Sequence, residues 1–346
     1  MENFEEALRP FHFELEPKLI ASYPAPNRDE SRLMILNRRK EQISIKPHFR
    51  DISSFLHAGD LIVFNDSRVS KRRLYLQSEK GREHECLFLE KQDQANIWKC
   101  MLRKPGKLKK GDILKVGGTS FHFLYNEGKE SFIDSVQELD ESFFETYGAM
   151  PIPPYLKRKA ESLDETRYQS IFAKEARSVA APTAALHFSP ELKMNLEKVG
   201  IDFCPVSLDI GYGTFSPLDE EQWKQKKLHK EKYFVSKQSS KLLNQAKKEK
   251  RRIISLGTTS LRVLESIYDN QTKTYRDAYG ETQLFLRPGD KIESIQGLIT
   301  NFHLPGSSLL LLVAAFCGQE FIMEAYRTAL QERMRFFSYG DAMFIY

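Results

Sequence analysis

The sequence predicts a mixed α/β fold, in which a large α/β domain carries an inserted small antiparallel β-barrel domain. Strand-like and helix-like runs alternate through the C-terminal half, as they do in α/β domains. Residues 74–147 instead hold short strand-like runs separated by turn residues, which is typical of a small barrel or sandwich. Three prolines within residues 151–154 form a stiff extended segment that would return the chain to the large domain. We therefore expect residues 1–73 and 148–346 to form the large domain and residues 74–147 the barrel.

The first strong strand signal is the largely apolar run at residues 60–64, which ends in Asn65 and Asp66. A continuous apolar run predicts a buried strand, and ligands bind at the carboxyl ends of such strands in α/β sheets. In the barrel block, turns that contain Gly, Pro or Asn separate the strand-like runs. These runs are residues 85–89, 97–102 and 119–125.

The C-terminal half follows the same logic. Residues 252–256 predict a strand, residues 257–259 a tight loop and residues 260–267 a helix. A short strand is expected at Phe285, before a Pro-Gly turn. The remaining predicted elements are a strand at residues 297–300 and helices at residues 237–248, 307–317 and 319–334.

The composition argues against several classes of protein. The four cysteines include no C-x-x-C pair and no histidine at zinc-ligand spacing, so we expect neither a metal site nor a disulfide framework. The N-terminus has no apolar signal segment, and the most apolar run, residues 309–316, is far shorter than the ~20 residues that cross a bilayer. We therefore expect a cytoplasmic protein without a membrane segment. The formal net charge of +5 suits an anionic partner without requiring one.

Polar groups follow two of the predicted strands. Gly257, Thr258 and Thr259 open a helix, where backbone N–H groups and hydroxyls bind anions or ribose-like groups, although Thr is also an ordinary N-cap residue. Residues 65–68 combine an amide, a carboxylate, a hydroxyl and a guanidinium. They suit either a ligand clamp or a turn with a local Asp–Arg pair.

Several other segments have two interpretations. The small residues 178–183 allow close approach of a flat ligand or close packing of elements. His187 is either a hydrogen-bonded core residue or a proton-transfer group. The glycines of residues 211–213 could wrap a ligand, although one G-x-G is a weak signal. His229 and Glu231 would share one face of a strand, as an acid–base pair needs, or lie on a solvated surface.

Two later segments mix aromatic and polar groups. Residues 300–305 place an amide, an imidazole and an aromatic ring directly after an apolar strand. Residues 335–343 are aromatic and charged, so they would either stack a base or dock the chain terminus on the core.

Taken together, these segments closely resemble the S-adenosylmethionine:tRNA ribosyltransferase-isomerase family of queuosine biosynthesis. The resemblance extends over nearly the whole chain, and so many ordered matches are far more specific than any single motif. The matching segments are residues 31–33, 65–69, 151–155, 167–169, 179–184, 186–188, 257–259, 300–305 and 335–343.

Some positions depart from the family pattern. Asp209 stands where a histidine usually precedes Gly-x-Gly-Thr-Phe, which changes both charge and hydrogen-bonding role. Arg177 and Ala185 replace glycines on either side of the Val-Ala-Ala-Pro-Thr segment. Ser67 replaces a threonine and keeps its hydroxyl. The remaining departures are Lys71 and Asp290.

The resemblance implies an enzyme that turns the ribosyl group of S-adenosylmethionine into an epoxycyclopentanediol on the aminomethyl group of a 7-deazaguanine base. That base lies at the wobble position of certain tRNAs, the product is epoxyqueuosine-tRNA, and adenine and methionine leave. S-adenosylmethionine is then a consumed co-substrate, and neither a metal nor a permanently bound cofactor is expected. The expected partners are this tRNA and S-adenosylmethionine, and we expect a monomer.

This chemistry needs a base for a proton beside the sulfonium and an acid or strong donor for the departing adenine. Because imidazole titrates near neutral pH, His187, His229 and His303 are the candidates for proton transfer, with Asp209 as a fourth. The predicted substrate-binding residues, which would hold hydroxyls or polar ends of the two substrates, are Asn65, Asp66, Arg68, Tyr168, Thr183, Thr214, Thr258, Thr259, Asn301, Arg335 and Asp341.

Two basic segments are candidates for contact with tRNA phosphates: the Lys-rich residues 224–250 and the barrel lysines Lys104, Lys107, Lys109 and Lys110. Either one would also be an ordinary solvated basic face. One alternative function is an S-adenosylmethionine-dependent methyltransferase, although no G-x-G-x-x-G follows a strand. Another is a noncatalytic RNA-binding protein, which would bind tRNA without consuming S-adenosylmethionine.

Overall fold

The computed structural model describes residues 3–92, 96–211, 213 and 217–346, apart from the side chain of Lys107. In these residues the strands are β1 (Leu33–Asn37), β2 (Gln42–Lys46), β3 (Leu61–Asn65), β4 (Ser67–Val69), β5 (Arg73–Ser78), β6 (Glu83–Lys91), β7 (Ile97–Leu102), β8 (Ile113–Val116), β9 (Thr119–Glu127), β10 (Glu130–Ser135), β11 (Glu175–Ser178), β12 (Asp202–Leu208), β13 (Lys227–Val235), β14 (Ile253–Leu256), β15 (Tyr268–Asp269), β16 (Thr274–Tyr275), β17 (Ala278–Leu284), β18 (Gly297–Asn301) and β19 (Ala342–Ile345). The helices are α1 (Phe4–Leu8), α2 (Glu141–Tyr147), α3 (Ser162–Arg167), α4 (Pro190–Lys198), α5 (Glu220–Gln225), α6 (Lys237–Lys248), α7 (Thr258–Ile267), α8 (Ser308–Cys317) and α9 (Gln319–Gln331).

A nine-stranded sheet forms the large domain, in the order β17-β13-β12-β3-β14-β18-β19-β1-β2. Its four central strands, β12, β3, β14 and β18, are parallel to one another. Strand β19 runs antiparallel to β18, and β1 runs parallel to β19. The carboxyl ends of the four central strands therefore meet the amino ends of β1 and β19 at one edge of the sheet.

Both faces of this sheet are covered, and the side-chain alternation of its strands explains why the central runs are apolar throughout. Leu61 and Val63 of β3 belong to one core, together with α6, α7, α8 and α9. Ile62 and Phe64 belong to a second core on the opposite face, with α4 and the short 3-10 helix Phe49–Phe55. An alternating apolar and polar pattern is absent from β3 because neither face meets water.

The second unit is a closed antiparallel barrel in the order β10-β7-β6-β5-β8-β9. Its core is plugged by α2, whose Phe144 packs edge-on against Phe88 at 5.5 Å and Trp98 at 5.6 Å between ring centroids. A large sheet with an inserted antiparallel barrel is the fold class that the sequence predicts, and that prediction is confirmed.

Several local predictions differ from the structure, among them the predicted helix 319–334, which ends at Gln331 as α9. The predicted helix 260–267 begins earlier, at Thr258, because Gly257 turns the chain with φ +91° and the helix starts at the next residue. The predicted strand at Phe285 is wrong by one residue. Strand β17 ends at Leu284, opposite Lys227, the first residue of its partner β13, so Phe285 has no further partner in that strand.

In the described ranges, no single helix is long and apolar enough to span a bilayer. Helices α8 and α9 reach that length and composition only as a pair, which is bent by 117°.

Candidate active site

A cavity of about 670 Å³, open to solvent, lies at the edge of the sheet where β14 and β18 end. The loop after β14 lines it with residues 257–259, and the end of β18 with residues 300–304. Residues 180–184 contribute further lining, as does Ile210, which follows β12. The cavity therefore lies at the edge of the sheet where α/β folds bind their ligands.

Helix α7 presents the start of its backbone to this cavity. Its N-cap is Gly257, and within the described residues no side chain caps the first turn. The helix therefore lacks the ordinary Thr or Ser N-cap that the sequence also allowed. Thr258 and Thr259 line the cavity, and the buried Oγ1 of Thr259 has no hydrogen-bond partner in the described part of the chain. The start of α7 thus offers N–H donors and a hydroxyl to a ligand.

A set of hydrogen bonds fixes Asn301 at the end of β18. Its Nδ2 lies 2.9 Å from Nε2 of His187 and 3.1 Å from the carbonyl oxygen of Phe337, so both amide protons are donated. Nε2 of His187 is then the acceptor, and Nδ1 donates to Oγ of Ser31 at 2.7 Å. Oδ1 of Asn301 is buried without a partner among the described residues. His187 therefore positions Asn301, whose amide oxygen is left for a ligand donor.

Burial keeps two of the predicted histidines neutral. Burial, together with the charge of the nearby Arg335, lowers the pKa of His187 to about 3. The His187 ring stacks on Phe49 with centroids 5.1 Å apart. Burial also lowers the pKa of His303 to about 3, and Nε2 of His303 lies 2.8 Å from Oγ1 of Thr300. His303 lines the cavity, whereas His187 lies behind its wall and supports Asn301.

Asp209 comes directly before the lining residue Ile210. Burial raises the pKa of its carboxyl to about 6, and the charges of Arg177, Lys232 and Arg72 oppose this rise. Arg177 and Asp209, both given above as departures from the family pattern, therefore carry opposite charges. The positive charge of Arg177 lowers the pKa that burial raises at Asp209. A carboxyl with this pKa exchanges protons near neutral pH.

The pair predicted on β13 contacts the neighbouring glycine segment. The ring of His229 lies so close to Gly213 that a Cβ there would collide with it, and His229 itself is exposed. Glu231 is buried, forms an ion pair with Arg262 of α7, and accepts a hydrogen bond from the backbone N–H of Gly211 at 3.2 Å. As described, the cavity wall includes neither side chain of the pair. Glu231 therefore holds the backbone after β12 against α7.

The predicted clamp after β3 binds protein groups. Asn65 is fully buried and exchanges two 3.0 Å hydrogen bonds with the backbone of Leu208, which fastens β3 to β12. Asp66 accepts a hydroxyl hydrogen bond from β12 at 2.6 Å. Arg68 forms an ion pair with Glu145 of α2 and so connects the sheet to the barrel. These contacts place Asn65, Asp66 and Arg68 in supporting positions outside the cavity lining.

The remaining predicted binding residues divide between lining and support. Thr183 lines the cavity. Tyr168 is fully buried. Asp341 accepts hydrogen bonds from the backbone N–H groups of Arg32 at 2.9 Å and Arg335 at 2.8 Å, and so fixes where β1 and β19 begin. The prediction for Thr214 lies outside the described residues.

Tyr155 and Ser338 line the cavity but are not among the predicted site residues. Tyr155 and Ser338 are hydrogen-bonded to each other across the cavity wall, and the Tyr155 ring packs against Phe337 with centroids 4.7 Å apart. The available signal was an aromatic residue directly after three prolines, which was interpreted only as a linker.

The lining as described is polar and aromatic but carries no Lys, Arg, Asp or Glu side chain. It offers threonine hydroxyls, one amide oxygen, one neutral imidazole and several aromatic rings. Across the described ranges, no three His, Cys, Asp or Glu side chains are grouped so that they could hold a metal ion. The arrangement suits a neutral or cationic organic ligand with several hydrogen-bonding groups.

Comparison with known proteins gives the family. A family model described as queuosine biosynthesis protein matches residues 8–345. A curated S-adenosylmethionine:tRNA ribosyltransferase-isomerase from Thermotoga maritima is 42% identical over 336 residues, which cover 97% of this chain and 98% of the relative. A relative of the same name from Syntrophotalea carbinolica is 40% identical over 342 residues, which cover 98% of this chain and 99% of the relative.

A solved structure is also similar. The crystal structure of S-adenosylmethionine tRNA ribosyltransferase from Thermotoga maritima covers 97% of this chain and 100% of its own, with 35% identity and a TM-score of 0.57. The two-part fold and the family match agree over nearly the full length. The chain therefore belongs to the family of queuosine biosynthesis proteins.

Proposed function

We propose that this chain is an S-adenosylmethionine:tRNA ribosyltransferase-isomerase and that the cavity at the sheet edge is its reaction site. In this proposal the acceptor is 7-aminomethyl-7-deazaguanine at the tRNA wobble position, and the product is epoxyqueuosine-tRNA. Adenine and methionine are released. S-adenosylmethionine is consumed as a co-substrate, the reaction uses neither a metal nor a permanently bound cofactor, and the protein acts as a cytoplasmic monomer.

The observation that carries the proposal is a pair of buried polar atoms without partners in the described chain, Oγ1 of Thr259 and Oδ1 of Asn301, on two residues that line one cavity. An unpaired buried polar group costs about 1–3 kcal/mol, and a ligand that pairs with it removes that cost. Ribose hydroxyls match the start of α7 with its threonines, and an exocyclic adenine amine matches the oxygen of Asn301.

The aromatic lining suits the sulfonium of S-adenosylmethionine. Tyr155, Phe302 and Phe337 all line the cavity, and the described wall has no cationic side chain to repel a positive charge. A cation over an aromatic face is stabilised by about 0.5–2 kcal/mol. A cavity of this kind accepts a cationic organic molecule without needing a carboxylate beside it.

Ribosyl transfer requires removal of a proton from the carbon beside the sulfonium and hydrogen bonding to the leaving adenine. His187 is occupied with Asn301 and Ser31. Asp209, with its pKa near 6, is the better match for a proton acceptor at neutral pH, and it is next to the lining residue Ile210 but outside the described lining itself. In this proposal His303, which is neutral in the cavity wall, hydrogen-bonds the adenine.

The site assignment is tested with Thr259→Val, which removes the unpaired hydroxyl and keeps the side-chain shape. We expect calorimetry to show about tenfold weaker binding of S-adenosylmethionine, while the free energy of unfolding in urea stays the same or rises by up to about 1 kcal/mol. The matched control is Thr282→Val, because Oγ1 of Thr282 is hydrogen-bonded to Ser266 at 2.8 Å away from the cavity. The control should lose stability and keep its affinity. Unchanged affinity in Thr259→Val would overturn the placement of the substrate.

The reaction itself is tested by product analysis. Purified protein, S-adenosylmethionine and tRNA that carries the aminomethyl base should yield free adenine, free methionine and a heavier modified nucleoside in the tRNA digest. S-adenosylhomocysteine in place of adenine would identify a methyltransferase instead. Tight tRNA binding with no consumption of S-adenosylmethionine would identify a noncatalytic RNA-binding protein.

A further inference from the structure

A second concavity, of about 1420 Å³ and open to solvent, lies between the outer face of the barrel and the proline-rich segment. One wall consists of side chains from β5, β6 and β7, including Tyr75, together with Arg103, which directly follows β7. The other wall runs from Ile152 to Lys159. We call this concavity, defined by these two walls, the basic groove.

The basic groove is electropositive. Five cationic side chains line it, against the single carboxylate of Glu85. Glu85 is shared by Arg73 at 3.2 Å and Arg103 at 3.3 Å. Lys157 is exposed, and no ion pair is present for it among the described residues. It is held in the left-handed region at φ +53°, directly after the 3-10 helix Pro154–Leu156.

The cationic groups differ in how much they can offer to a ligand. Arg158 is committed to Asp164 by two hydrogen bonds of 2.6 and 2.7 Å. Lys159 lies 4.9 Å from the centre of the Tyr75 ring and 3.7 Å from the carboxylate of Glu83, and both charged side chains of this surface pair remain largely exposed. Lys157, Lys159 and Arg103 are therefore the side chains that remain able to contact phosphates.

The basic groove adjoins the reaction cavity. Pro153 and Pro154 line the groove, and the next residue, Tyr155, lines the cavity. Consecutive Cα atoms are about 3.8 Å apart, so the two sites share one thin wall. The prolines fix φ, which makes that wall stiff. A polymer lying in the groove would therefore pass close to the reaction cavity.

The Lys-rich residues 224–250 compare poorly with this groove, because none of them is among the described residues that line the groove or the reaction cavity, and several of their lysines are held in ion pairs. Lys224 lies 2.8 Å from Glu220, and Lys226 lies 2.6 Å from Asp290. Further ion pairs join Lys230 to Glu281 at 3.3 Å and Lys232 to Glu90 at 3.1 Å.

We infer that the basic groove holds the sugar-phosphate backbone of the single-stranded RNA next to the reacting base, an inference that rests on the proposed function. Cationic grooves with an aromatic platform track single strands in this way, and an unpaired loop lets one base turn into a neighbouring pocket. Tyr75 supplies a ring on which a flanking base stacks when Lys159 turns towards a phosphate. Lys157 and Arg103 contact backbone phosphates from the two walls.

The test measures RNA binding by the full-length protein, independently of turnover. The probe is a fluorescently labelled anticodon stem-loop RNA without modification, and anisotropy gives Kd at several salt concentrations. We expect Lys157→Glu and Arg103→Glu each to weaken binding about tenfold or more and to reduce the salt slope by about 1. The matched control is Lys241→Glu on α6, an exposed residue of the Lys-rich segment, which should leave Kd and slope unchanged.

The outcomes separate this inference from the proposed function. Calorimetric binding of S-adenosylmethionine by Lys157→Glu should equal that of the wild type, which shows that the fold and the reaction cavity are intact. Wild-type affinity and salt slope in both groove variants overturn the inference, and so does a loss of affinity confined to Lys241→Glu. Protein that binds the RNA through the groove but never consumes S-adenosylmethionine would refute the proposed function and leave the groove assignment standing.

Discussion

Acidification tests whether His187 is a neutral positioning residue. Burial lowers the pKa of its folded-state imidazole to about 3, whereas an unfolded histidine has a pKa of about 6.5. Between these values the unfolded chain binds a proton that the folded chain excludes. The contribution of His187 to stability is therefore complete above about pH 6.5 and is lost as the pH falls towards 3.

The size of this loss follows from the two pKa values. Between about pH 7.5 and about pH 5, protonation of the unfolded imidazole lowers the free energy of unfolding by about 2 kcal/mol. The variant His187→Gln has no ionisable group, so this loss is absent. It should be less stable than the wild type at the higher pH, because its hydrogen bonds to Ser31 and Asn301 are poorer. The difference in the free energy of unfolding between the wild type and this variant, which we call the deficit, should shrink by about 2 kcal/mol at the lower pH.

Urea unfolding at the two pH values measures the deficit directly. The control is His57→Gln, which makes the same substitution at an exposed position. A His187→Gln deficit that is equal at the two pH values would refute the argument, because it would mean that the folded protein protonates His187 as readily as the unfolded chain does.

Three further changes have expected outcomes. Gly257→Ala places a Cβ at φ +91° and should lower the free energy of unfolding by about 1–3 kcal/mol in urea; an unchanged value would contradict the strain argument. Arg262→Met removes the cation of the buried Arg262–Glu231 ion pair and should lower the free energy of unfolding by about 3–5 kcal/mol. A loss below about 1 kcal/mol in the same urea assay would show that this ion pair is dispensable. Burial raises the pKa of Asp209 to about 6, so the stability that its protonated carboxyl contributes to the folded state is lost as the pH rises from about 4 to about 6. Asp209→Asn should therefore become more stable relative to the wild type between about pH 4 and about pH 7.5, and no relative gain in urea unfolding would contradict the argument.

Three of the nine strands of the sheet, β3, β14 and β18, could be predicted because their signals are local. The apolar run of β3 and the Gly-Thr-Thr segment where α7 begins identify a strand and a helix without knowledge of the rest of the chain. Polar residues directly after such strands gave Thr258, Thr259 and His303, which do line the cavity. Strand ends are informative because parallel strands bring their carboxyl ends to one edge.

The supporting interactions could not be predicted because their partners are distant in sequence. His187 is fixed by Ser31, 156 residues away, and Tyr155 meets Ser338, 183 residues away. No local pattern encodes these pairs, so the sequence alone left His187 open between a core residue and a catalyst. The raised pKa of Asp209 likewise depends on burial by elements that only the fold assembles.

One double-label experiment decides whether the cavity performs ribosyl transfer. The protein is incubated with tRNA that carries the aminomethyl base and with S-adenosylmethionine that is labelled separately in the ribose and in the methyl group. We expect the ribose label to enter the tRNA while the methyl label is recovered in free methionine. Methyl label in the tRNA, or ribose label that never leaves the small-molecule fraction, would contradict the account.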